Sequence, residues 1–251
     1  MTNSVDRFSD RVANYVKYRP HYPGEIIEYL YETCGLSAQD IIADIGCGTG
    51  ISSKLFLENG NRVIGVEPNA AMREAADEYL AGFPKFELVD GTSAETSLTD
   101  KSVDLIVAAQ AFHWFEPEKT RFEFHRILKP GGHIVLIWNE RQLDTTPFLV
   151  GYEALLIKYA YDYGNVRHEN IAADQLRDFF RSEYTAATFA NFQDFDFDGI
   201  KGRLLSSSYM PSESDTVFPQ MIKELQALFA KHAENGRIRV LYDTNVYTSQ
   251  V

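Results

Sequence analysis

The glycine-rich stretch from Asp44 to Gly50, Asp-Ile-Gly-Cys-Gly-Thr-Gly, constrains the fold more than any other part of the sequence. The apolar run at 41–43 before it predicts a buried strand, and the pattern at 51–57 after it predicts a helix. Glycines at alternate positions allow a sharp turn and let a ligand approach the backbone closely. Because the start of a helix offers free N–H groups and a positive dipole end, this turn predicts a site for a nucleotide-like cofactor.

The spacing of the glycines separates two kinds of nucleotide site. A dinucleotide fingerprint, G-x-G-x-x-G, requires its third glycine at position 51, but the chain has Ile51 there and the glycine stands at Gly50. A second predicted strand at 62–66 is followed by Glu67, whose carboxylate can accept both hydroxyls of a ribose. The spacing therefore disfavours an NAD-linked oxidoreductase and retains a ribose-containing cofactor.

These two motifs together are similar to a known superfamily. The sequence D-I-G-C-G-T-G at 44–50, followed by V-E-P-N at 66–69, resembles the class I S-adenosylmethionine-dependent methyltransferases. The resemblance implies S-adenosyl-L-methionine as the cofactor and S-adenosyl-L-homocysteine as its product. It also implies a Rossmann-like methyltransferase fold, with a seven-stranded, mostly parallel sheet, an antiparallel last strand and a helical cap.

Further motifs narrow the resemblance. Residues 89–95 and 100–107 look like the third strand, adenine loop and fourth strand of that fold, and R-I-L-K-P-G-G at 126–132 announces the fifth strand. The patterns A-F-H-W-F at 111–115 and Y-V-K-Y-R-P-H-Y-P at 15–23 are similar to the methyltransferase type 11 group, which includes trans-aconitate-like methyltransferases. The strong resemblance covers residues 8–138 and becomes looser after them.

Strand and helix patterns alternate along the chain, which predicts one α/β domain with helices on both faces of the sheet. We expect an N-terminal helical lid at 1–35, a cofactor-binding core at 36–139, a helical insertion at 140–185, and C-terminal strands and helices at 186–251. Asn69 is a predicted helix N-cap, and Pro117 a predicted first helical residue. A late helix at about 217–233 precedes a predicted last strand at 237–248.

The resemblance also assigns cofactor contacts. Asp44 and the glycine loop would hold the methionine part, and Glu67 would bind the ribose. Residues after the second and third strands would surround the adenine, and Gln110 would close the site after the fourth strand. The predicted cofactor-binding residues are Asp44, Gly46, Cys47, Gly48, Gly50, Glu67, Asn69, Asp90, Ala94, Glu95 and Gln110.

His113 and Trp114 follow the fourth strand, where α/β sheets place their ligands. We therefore predict that both bind the substrate and that His113 is the candidate catalytic base, because an imidazole titrates near about pH 6.5. The alternative is that His113 only packs beneath the site. A carboxylate acceptor is already ionised at neutral pH, so a methyltransferase acting on one needs no base.

The first 23 residues carry four basic and two acidic side chains, a local charge of +2 in a chain of net charge −12. A positive lid suits a small anionic substrate, because a guanidinium can bind a carboxylate through two hydrogen bonds. The alternative is a solvated amphipathic helix. The further predicted substrate-binding residues are Tyr15, Tyr18, Arg19, Ser207 and Tyr209.

Composition limits the possible partners. A net charge of −12 argues against a nucleic-acid substrate, which requires a basic face. No run of eighteen apolar residues predicts a membrane span. The two cysteines form no disulfide framework, which predicts a reduced, cytoplasmic protein. No metal site is predicted, and no feature specifies an oligomeric state.

The sequence therefore predicts an S-adenosylmethionine-dependent methyltransferase for a small organic molecule, with direct in-line transfer to a carboxylate oxygen favoured. A DNA amine methyltransferase would need an Asn/Asp-Pro-Pro-aromatic motif after the fourth strand, where the chain has Gln-Ala-Phe-His at 110–113. Two alternatives stay open. One is O-, N- or C-methylation of another small molecule, such as a phenol or quinone precursor, with His113 as the base. The other is a non-catalytic protein that binds S-adenosylmethionine.

Overall fold

The computed structural model describes residues 17–161, 173–207 and 209–251. The strands in these ranges are β1 (Ile41–Ile45), β2 (Arg62–Val66), β3 (Phe86–Val89), β4 (Val103–Ala109), β5 (Leu128–Arg141), β6 (Thr185–Phe195) and β7 (Ile238–Gln250). The helices are α1 (Glu25–Cys34), α2 (Ile51–Glu58), α3 (Ala70–Tyr79), α4 (Pro117–Ile127), α5 (Pro147–Tyr159), α6 (Ala173–Phe180), α7 (Phe197–Leu205) and α8 (Phe218–His232). A single 3₁₀ turn, Phe112–Trp114, lies between β4 and α4.

The strands form one seven-stranded sheet in the order β3-β2-β1-β4-β5-β7-β6. Strands β1 to β5 run parallel, and β7 is antiparallel to both β5 and β6. Parallel neighbours require crossover connections, which here include the helices α2, α3 and α4. The predicted fold class, a mostly parallel sheet with an antiparallel last strand, is confirmed.

The central strands are buried on both faces, which explains their nearly continuous apolar sequences. Ile42 of β1 belongs to the same buried cluster as Leu30 of α1 and Phe56 of α2. Its strand neighbours Ala43 and Ile45 point to the other face and belong to the cluster that contains α4 and α6. Alternation of side chains along each strand thus divides the core into two layers.

Local signals fix the ends of two helices as the sequence predicts. The Asn69 side chain caps α3 by accepting a hydrogen bond from the Met72 backbone N–H, at 3.0 Å. Pro117 is the first residue of α4, where its missing N–H costs no intrahelical hydrogen bond. Both predictions are confirmed, and α4 consequently starts directly after the segment that follows β4.

The predicted helical insertion at 140–185 is shorter than expected at both ends. Helices α5 and α6 lie within it, but residues 140 and 141 continue β5, and Thr185 begins β6. The reason is antiparallel pairing with the long strand β7, which matches Arg141 with Tyr242 and Thr185 with Thr248. Both pairing partners lie in β7, far along the chain, so alternation within 140–185 alone could not reveal them.

A third buried cluster joins α5, α7 and α8 to the ends of β6 and β7. It includes Tyr152 of α5, Ile200 of α7, Leu225 of α8 and Tyr242 of β7. We call this cluster the helical cap, and its first helix, α5, is the next helix after β5. In the described ranges, no helix is both long and apolar enough to cross a membrane.

Candidate functional site

The glycine loop turns β1 into α2 through three left-handed backbone positions. Gly46, Gly48 and Gly50 have φ angles of +69°, +55° and +82°. The outer two glycines are also packed closely, since a Cβ at Gly46 would lie 2.7 Å from that of Ala111 and one at Gly50 would lie 2.5 Å from Leu80. Glycine is therefore required here for conformation and for space.

Gly48 differs from its two neighbours because it faces open space. A Cβ built on Gly48 has no heavy atom within 4 Å, although its backbone also needs a positive φ. The loop thus presents bare backbone to an empty volume beside the start of α2. This combination is the arrangement expected where a ligand approaches the main chain.

Glu67 connects the ends of the first two strands. One carboxylate oxygen accepts a hydrogen bond from the Gly48 N–H at 3.0 Å, and the other accepts one from the Asn69 N–H at 2.9 Å. Burial raises the pKa of Glu67 above its usual value, and these two N–H donors oppose that shift. Each oxygen retains lone-pair capacity, so the carboxylate can also accept the hydroxyls of a ribose.

Asp44 is completely buried at the end of β1. Its Oδ2 accepts hydrogen bonds from the hydroxyls of Ser52 and Ser53, both at 2.6 Å, whereas Oδ1 has no hydrogen-bond partner in the described structure. Burial raises the pKa of Asp44 to about 6, since the two serine hydroxyls only partly compensate the lost solvent. A buried carboxylate oxygen without a partner favours a cationic or hydrogen-bond-donating ligand.

Cys47 lies in the loop, but its side chain packs into the protein. It is 5% exposed, and a Cβ built on Gly65 of β2 would lie 2.8 Å from its sulfur. Burial raises the pKa of the Cys47 thiol well above its usual value, so the thiol stays protonated. Any contact between Cys47 and a cofactor would therefore come from its backbone.

Asp90, at the end of β3, is tied to the end of β2 through Arg73 of α3. Arg73 donates to the Asp90 carboxylate at 2.9 Å and to the Glu67 carbonyl oxygen at 2.8 Å. The Asp90 side chain is otherwise open to solvent, so it can still turn toward a ligand. Arg73 was not among the predicted residues, because an arginine in a helix gives no signal that it joins two strand ends.

The predicted adenine loop continues through Ala94 and the exposed Glu95 in a tight turn. The backbone N–H of Thr92 donates to the Glu95 carbonyl at 2.9 Å. The following residue, Thr96, donates through its N–H and its hydroxyl to Glu123 of α4, at 2.8 and 2.5 Å. This buried carboxylate fastens the loop to α4 and holds it at the carboxyl edge of the sheet.

Gln110, directly after β4, adopts a left-handed backbone with φ of +56°. Such a conformation is uncommon for a residue with a side chain and indicates a constrained position. Its side-chain amide donates to the Asn139 carbonyl of β5 at 2.9 Å, and its backbone N–H donates to Ile137. The ends of β4 and β5 are thereby joined at the site.

His113 and Trp114 lie in the 3₁₀ turn that follows Gln110. Their rings are 4.8 Å apart between centroids, and the Trp114 side chain is exposed. The turn packs through Phe112 onto the core, so it fixes where the two following rings stand. The structure thus places both predicted substrate residues at the carboxyl edge of the sheet.

The predicted N-terminal residues meet the predicted residues Ser207 and Tyr209 just after the end of α7. Arg19 donates to the Ser206 carbonyl oxygen at 3.1 Å, and the ring of Tyr18 packs on Gly202, where any Cβ would overlap it. Ser207 is buried, and Tyr209 packs against the helical cap. The structure therefore brings these four predicted residues together, while Tyr15 lies outside the described residues.

Two residues of this region escaped sequence reasoning. Asn139 accepts from the Gln110 amide through its carbonyl, and its side chain donates to the carbonyls of Pro20 and His21 at 3.4 and 3.3 Å. Arg203 of α7 donates to the hydroxyls of Ser207, at 3.3 Å, and Tyr242, at 3.3 Å. Neither residue lies in a local motif, so only the tertiary structure reveals them.

The site fits S-adenosylmethionine on its own geometry. The open backbone at Gly48 stands beside the Glu67 carboxylate, and the unpartnered oxygen of Asp44 lies beneath the same loop. Acceptors for a ribose and for a cationic amino-acid part are therefore present together at the carboxyl edge. In the part of the chain that the structure describes, no cluster of side chains is suited to a metal ion.

The strand order and these contacts are those expected of a class I S-adenosylmethionine-dependent methyltransferase domain. Residues 43–136 match the model of a family described as a methyltransferase domain. The matched segment runs from β1 into β5 and includes every predicted cofactor-binding residue.

Similar proteins agree with this assignment. The chain is 33% identical over 165 residues to an uncharacterised methyltransferase-like protein of Schizosaccharomyces pombe, covering 64% of this chain and 63% of the relative. It is 37% identical over 134 residues to an uncharacterised methyltransferase of Mycobacterium bovis, covering 53% of this chain and 52% of the relative. The chain thus spans about half to two thirds of the length of these relatives.

A solved structure extends the likeness to the whole fold. A protein of Anaeromyxobacter dehalogenans, assigned as a type II methyltransferase, superposes with a TM-score of 0.69 at 19% identity. The superposition covers 93% of this chain and 98% of the other. The helical cap is therefore part of the shared architecture, although this degree of identity carries no information about the acceptor.

Proposed function

We propose that this protein is an enzyme that transfers a methyl group from S-adenosylmethionine to a carboxylate oxygen of a small organic acid. The observation that carries the proposal is the cofactor cradle, in which Gly48 exposes its backbone next to Glu67 and above Asp44. The match of this segment to a methyltransferase domain supports the transfer activity.

The bound cofactor supplies a methyl carbon already activated by an adjacent sulfonium. The task of the chain is therefore mainly to align an acceptor with that carbon, an effect worth about 7–11 kcal/mol in favourable cases. Gln110 and the 3₁₀ turn after β4 form a rigid wall for this alignment, because the Gln110 amide is held by β5.

An acidic acceptor is supported by the charge around the cap. Arg19 is anchored at the end of α7, so a guanidinium stands over a protein whose net charge is −12. A small carboxylate is attracted to such a local positive charge, and it attacks without losing a proton. The same net charge supports a small-molecule acceptor over a nucleic acid, and the two free cysteines support a cytoplasmic location.

A phenol or quinone precursor is the second candidate acceptor. The observation that favours it is the position of His113, whose ring lies against Trp114 one turn after β4. An aromatic acceptor could stack on the exposed indole while the imidazole removes the phenolic proton. A non-catalytic protein that only binds the cofactor would use the same cradle and no acceptor.

The experiment that separates these functions follows a labelled methyl group. The protein is incubated with methyl-labelled S-adenosylmethionine and a panel of small organic acids and phenols, and the products are treated with mild alkali. We expect label to leave as volatile methanol, since alkali cleaves methyl esters. The Glu67→Ala variant serves as the control with a damaged cradle, and the exposed Glu78→Gln variant as the control with an intact one.

Other outcomes contradict the carboxylate proposal. Alkali-stable label would assign the methyl group to a phenol, nitrogen or carbon and would make His113 the base. Tight binding of S-adenosylhomocysteine without transfer to any compound of the panel would instead favour the binding protein.

A further inference from the structure

We infer that Arg203 binds a carboxylate group of the acceptor, an inference that rests on the proposed function for the identity of its ligand. Arg203 lies in the last turn of α7 and was not among the residues that the sequence pointed to. Its surroundings provide neutral hydrogen-bonding groups and a second guanidinium. In the described ranges, the hydrogen-bond partners of Arg203 are hydroxyl groups, and none of them is an anion.

The neighbours of Arg203 are hydroxyl groups. Its Nε donates to the Tyr242 hydroxyl at 3.3 Å, and its Nη1 donates to the hydroxyls of Ser207 at 3.3 Å and Ser206 at 3.5 Å. These contacts are at the long end of the hydrogen-bond range and leave donors of the guanidinium available. The arginine is thus oriented by its neighbours without being saturated by them.

The charge of Arg203 is not neutralised within the described structure. Arg203 makes no ion pair there, whereas Arg141, which is paired in register with Tyr242, forms an ion pair with Glu153 of α5. Tyr152 stands in the same cluster, and burial raises its pKa above the usual value, so it remains a neutral hydroxyl. A partly desolvated guanidinium without a counterion gains more from binding a carboxylate than a solvated one does.

A second guanidinium approaches the same point. Arg19 donates to the carbonyl oxygen of Ser206, and Arg203 contacts the hydroxyl of that residue. Two positive charges are therefore held beside one serine at the C-terminal end of α7. A carboxylate that binds Arg203 there would lie close to both guanidinium groups.

A chain of contacts connects this cluster to the cofactor side. The Gln110 amide donates to the Asn139 carbonyl at 2.9 Å, and Asn139 pairs with Thr244 of β7. Tyr242 lies two residues from Thr244 on the same face, which is a distance of about 7 Å along a strand. Arg203 donates to the Tyr242 hydroxyl, so this chain of contacts runs from Gln110 to the proposed carboxylate site.

The test measures carboxylate binding separately from methyl transfer. Acetate, succinate and citrate are titrated into protein saturated with S-adenosylhomocysteine, and binding is followed by calorimetry and thermal stabilisation. The uncharged amides of the three acids serve as ligand controls. We expect at least one acid to bind and the Arg203→Met variant to bind it at least about tenfold more weakly.

Matched variants separate binding from a structural role. Arg203→Lys retains the charge and should recover part of the affinity. Arg239→Met removes an arginine that pairs with Asp194 away from the cluster, so it should bind the acid as the wild type does. Affinity for S-adenosylhomocysteine should stay within about twofold in all three variants, which also verifies that each is folded.

The results distinguish failure of this inference from failure of the proposed function. If the wild type forms methyl esters but Arg203→Met retains acid affinity and KM, the inference is wrong and the proposed function stands. If acids bind through Arg203 but no methyl ester forms, the anion site stands and the carboxylate is not the methylated group. If none of the three acids binds to the wild type, the inference is overturned.

Discussion

The proposed cofactor half and the proposed acceptor half of this molecule are built in different ways. The cofactor half uses short motifs at the ends of consecutive strands, and its central hydrogen bond, from Gly48 to Glu67, spans 19 residues of sequence. The acceptor half joins distant segments, and the contact between Arg19 and Ser206 spans 187 residues. Parallel strands bring their carboxyl ends together automatically, whereas the cap requires the whole chain to be folded.

This difference has a functional consequence. A site made of strand ends is fixed by the sheet itself and can bind the same cofactor in many proteins. A site made of cap residues can change with a few substitutions while the sheet is preserved. We therefore expect damage to the two halves to be separable, with cofactor affinity lost in one set of variants and acceptor affinity in the other.

The largest expected effect is on the cofactor half, from Glu67→Ala. This change removes the acceptor of two backbone N–H groups and the proposed ribose ligand. Hydrogen bonds to a charged group contribute about 1.5–3 kcal/mol each, so we expect affinity for S-adenosylhomocysteine to fall about 100-fold or more. Calorimetric titration of the purified variant measures the loss directly.

The acceptor side should be nearly unaffected by that substitution. The matched variant Glu78→Gln changes an exposed carboxylate of α3 and should leave cofactor affinity unaltered. If Glu67→Ala weakened binding of carboxylate probes as strongly as it weakened cofactor binding, the two halves would not be separate.

The sequence was sufficient for the fold and for the positions in the cofactor half, for a physical reason. The glycine loop, Asn69 and Pro117 are local signals whose effect depends on near neighbours only. Strand and helix order then determines that the ends of β1 to β4 share one edge. Local sequence does not predict every feature of this half. The close contacts of Gly46 with Ala111 and of Gly50 with Leu80 are seen only in the structure.

The acceptor half was only partly predictable. Arg19 and Ser207 were among the predicted substrate-binding residues, but Arg203 and Asn139 lie in stretches without a motif. Their importance comes from tertiary contacts over long sequence distances. The left-handed backbone of Gln110 is equally invisible in the sequence, since no glycine or asparagine marks it.

The second prediction tests whether Gly48 leaves space for the cofactor or only allows the backbone to adopt a positive φ. Gly48→Ala and Gly236→Ala both place a Cβ at a positive φ, +55° and +74°, with open space around it. Each should destabilise the fold by about 1 kcal/mol. Only the Gly48 variant should lose cofactor affinity, by about tenfold, because its new methyl group enters the volume beside Glu67.

Equal cofactor affinity in the two glycine variants would contradict the placement of the ligand against this loop. Chemical denaturation of both proteins supplies the necessary comparison, since it verifies that the backbone cost is similar. A loss of cofactor affinity in Gly48→Ala alone is then caused by the new methyl group in the binding site and not by the backbone cost.

The third prediction concerns the pH dependence of cofactor binding. Burial raises the pKa of Asp44 to about 6, so this carboxylate is largely protonated at about pH 5 and largely ionised at about pH 7. A cationic ligand prefers the ionised form. We expect affinity for S-adenosylmethionine to rise about fivefold between these two pH values. In Asp44→Asn, affinity should be weaker and should lose this part of the pH dependence.

The stability of the protein without cofactor should change in the opposite direction. A carboxyl whose pKa rises from 3.8 to about 6 on folding stabilises the folded state fully below the lower value. That contribution is lost as the pH rises through about 6, because the folded state then has to bury a charge. Asp44→Asn should therefore flatten the free energy of unfolding across this window. If the free energy of unfolding of Asp44→Asn changed with pH as steeply as that of the wild type, another group would be responsible for the titration.

The smallest expected effect is on the acceptor side, from His113→Gln. If the acceptor is an ionised carboxylate, no proton has to be removed, and kcat should change by less than about threefold. The value of KM could rise modestly, since the ring of His113 lies against that of Trp114 and helps to fix it. Steady-state kinetics between about pH 5.5 and 8.5 on wild type and variant provide the measurement.

The shape of the pH profile decides between positioning and base catalysis. A general base would make kcat of the wild type fall below about pH 6.5 and would make the variant slow at every pH. A positioning role would leave both profiles parallel, with the difference confined to KM. Suppose that kcat falls about a hundredfold or more in His113→Gln while Trp114→Phe is nearly normal. This result would indicate that the acceptor must lose a proton during the reaction. In that case the cofactor half would remain as described, and the chemistry assigned to the acceptor half would have to be replaced.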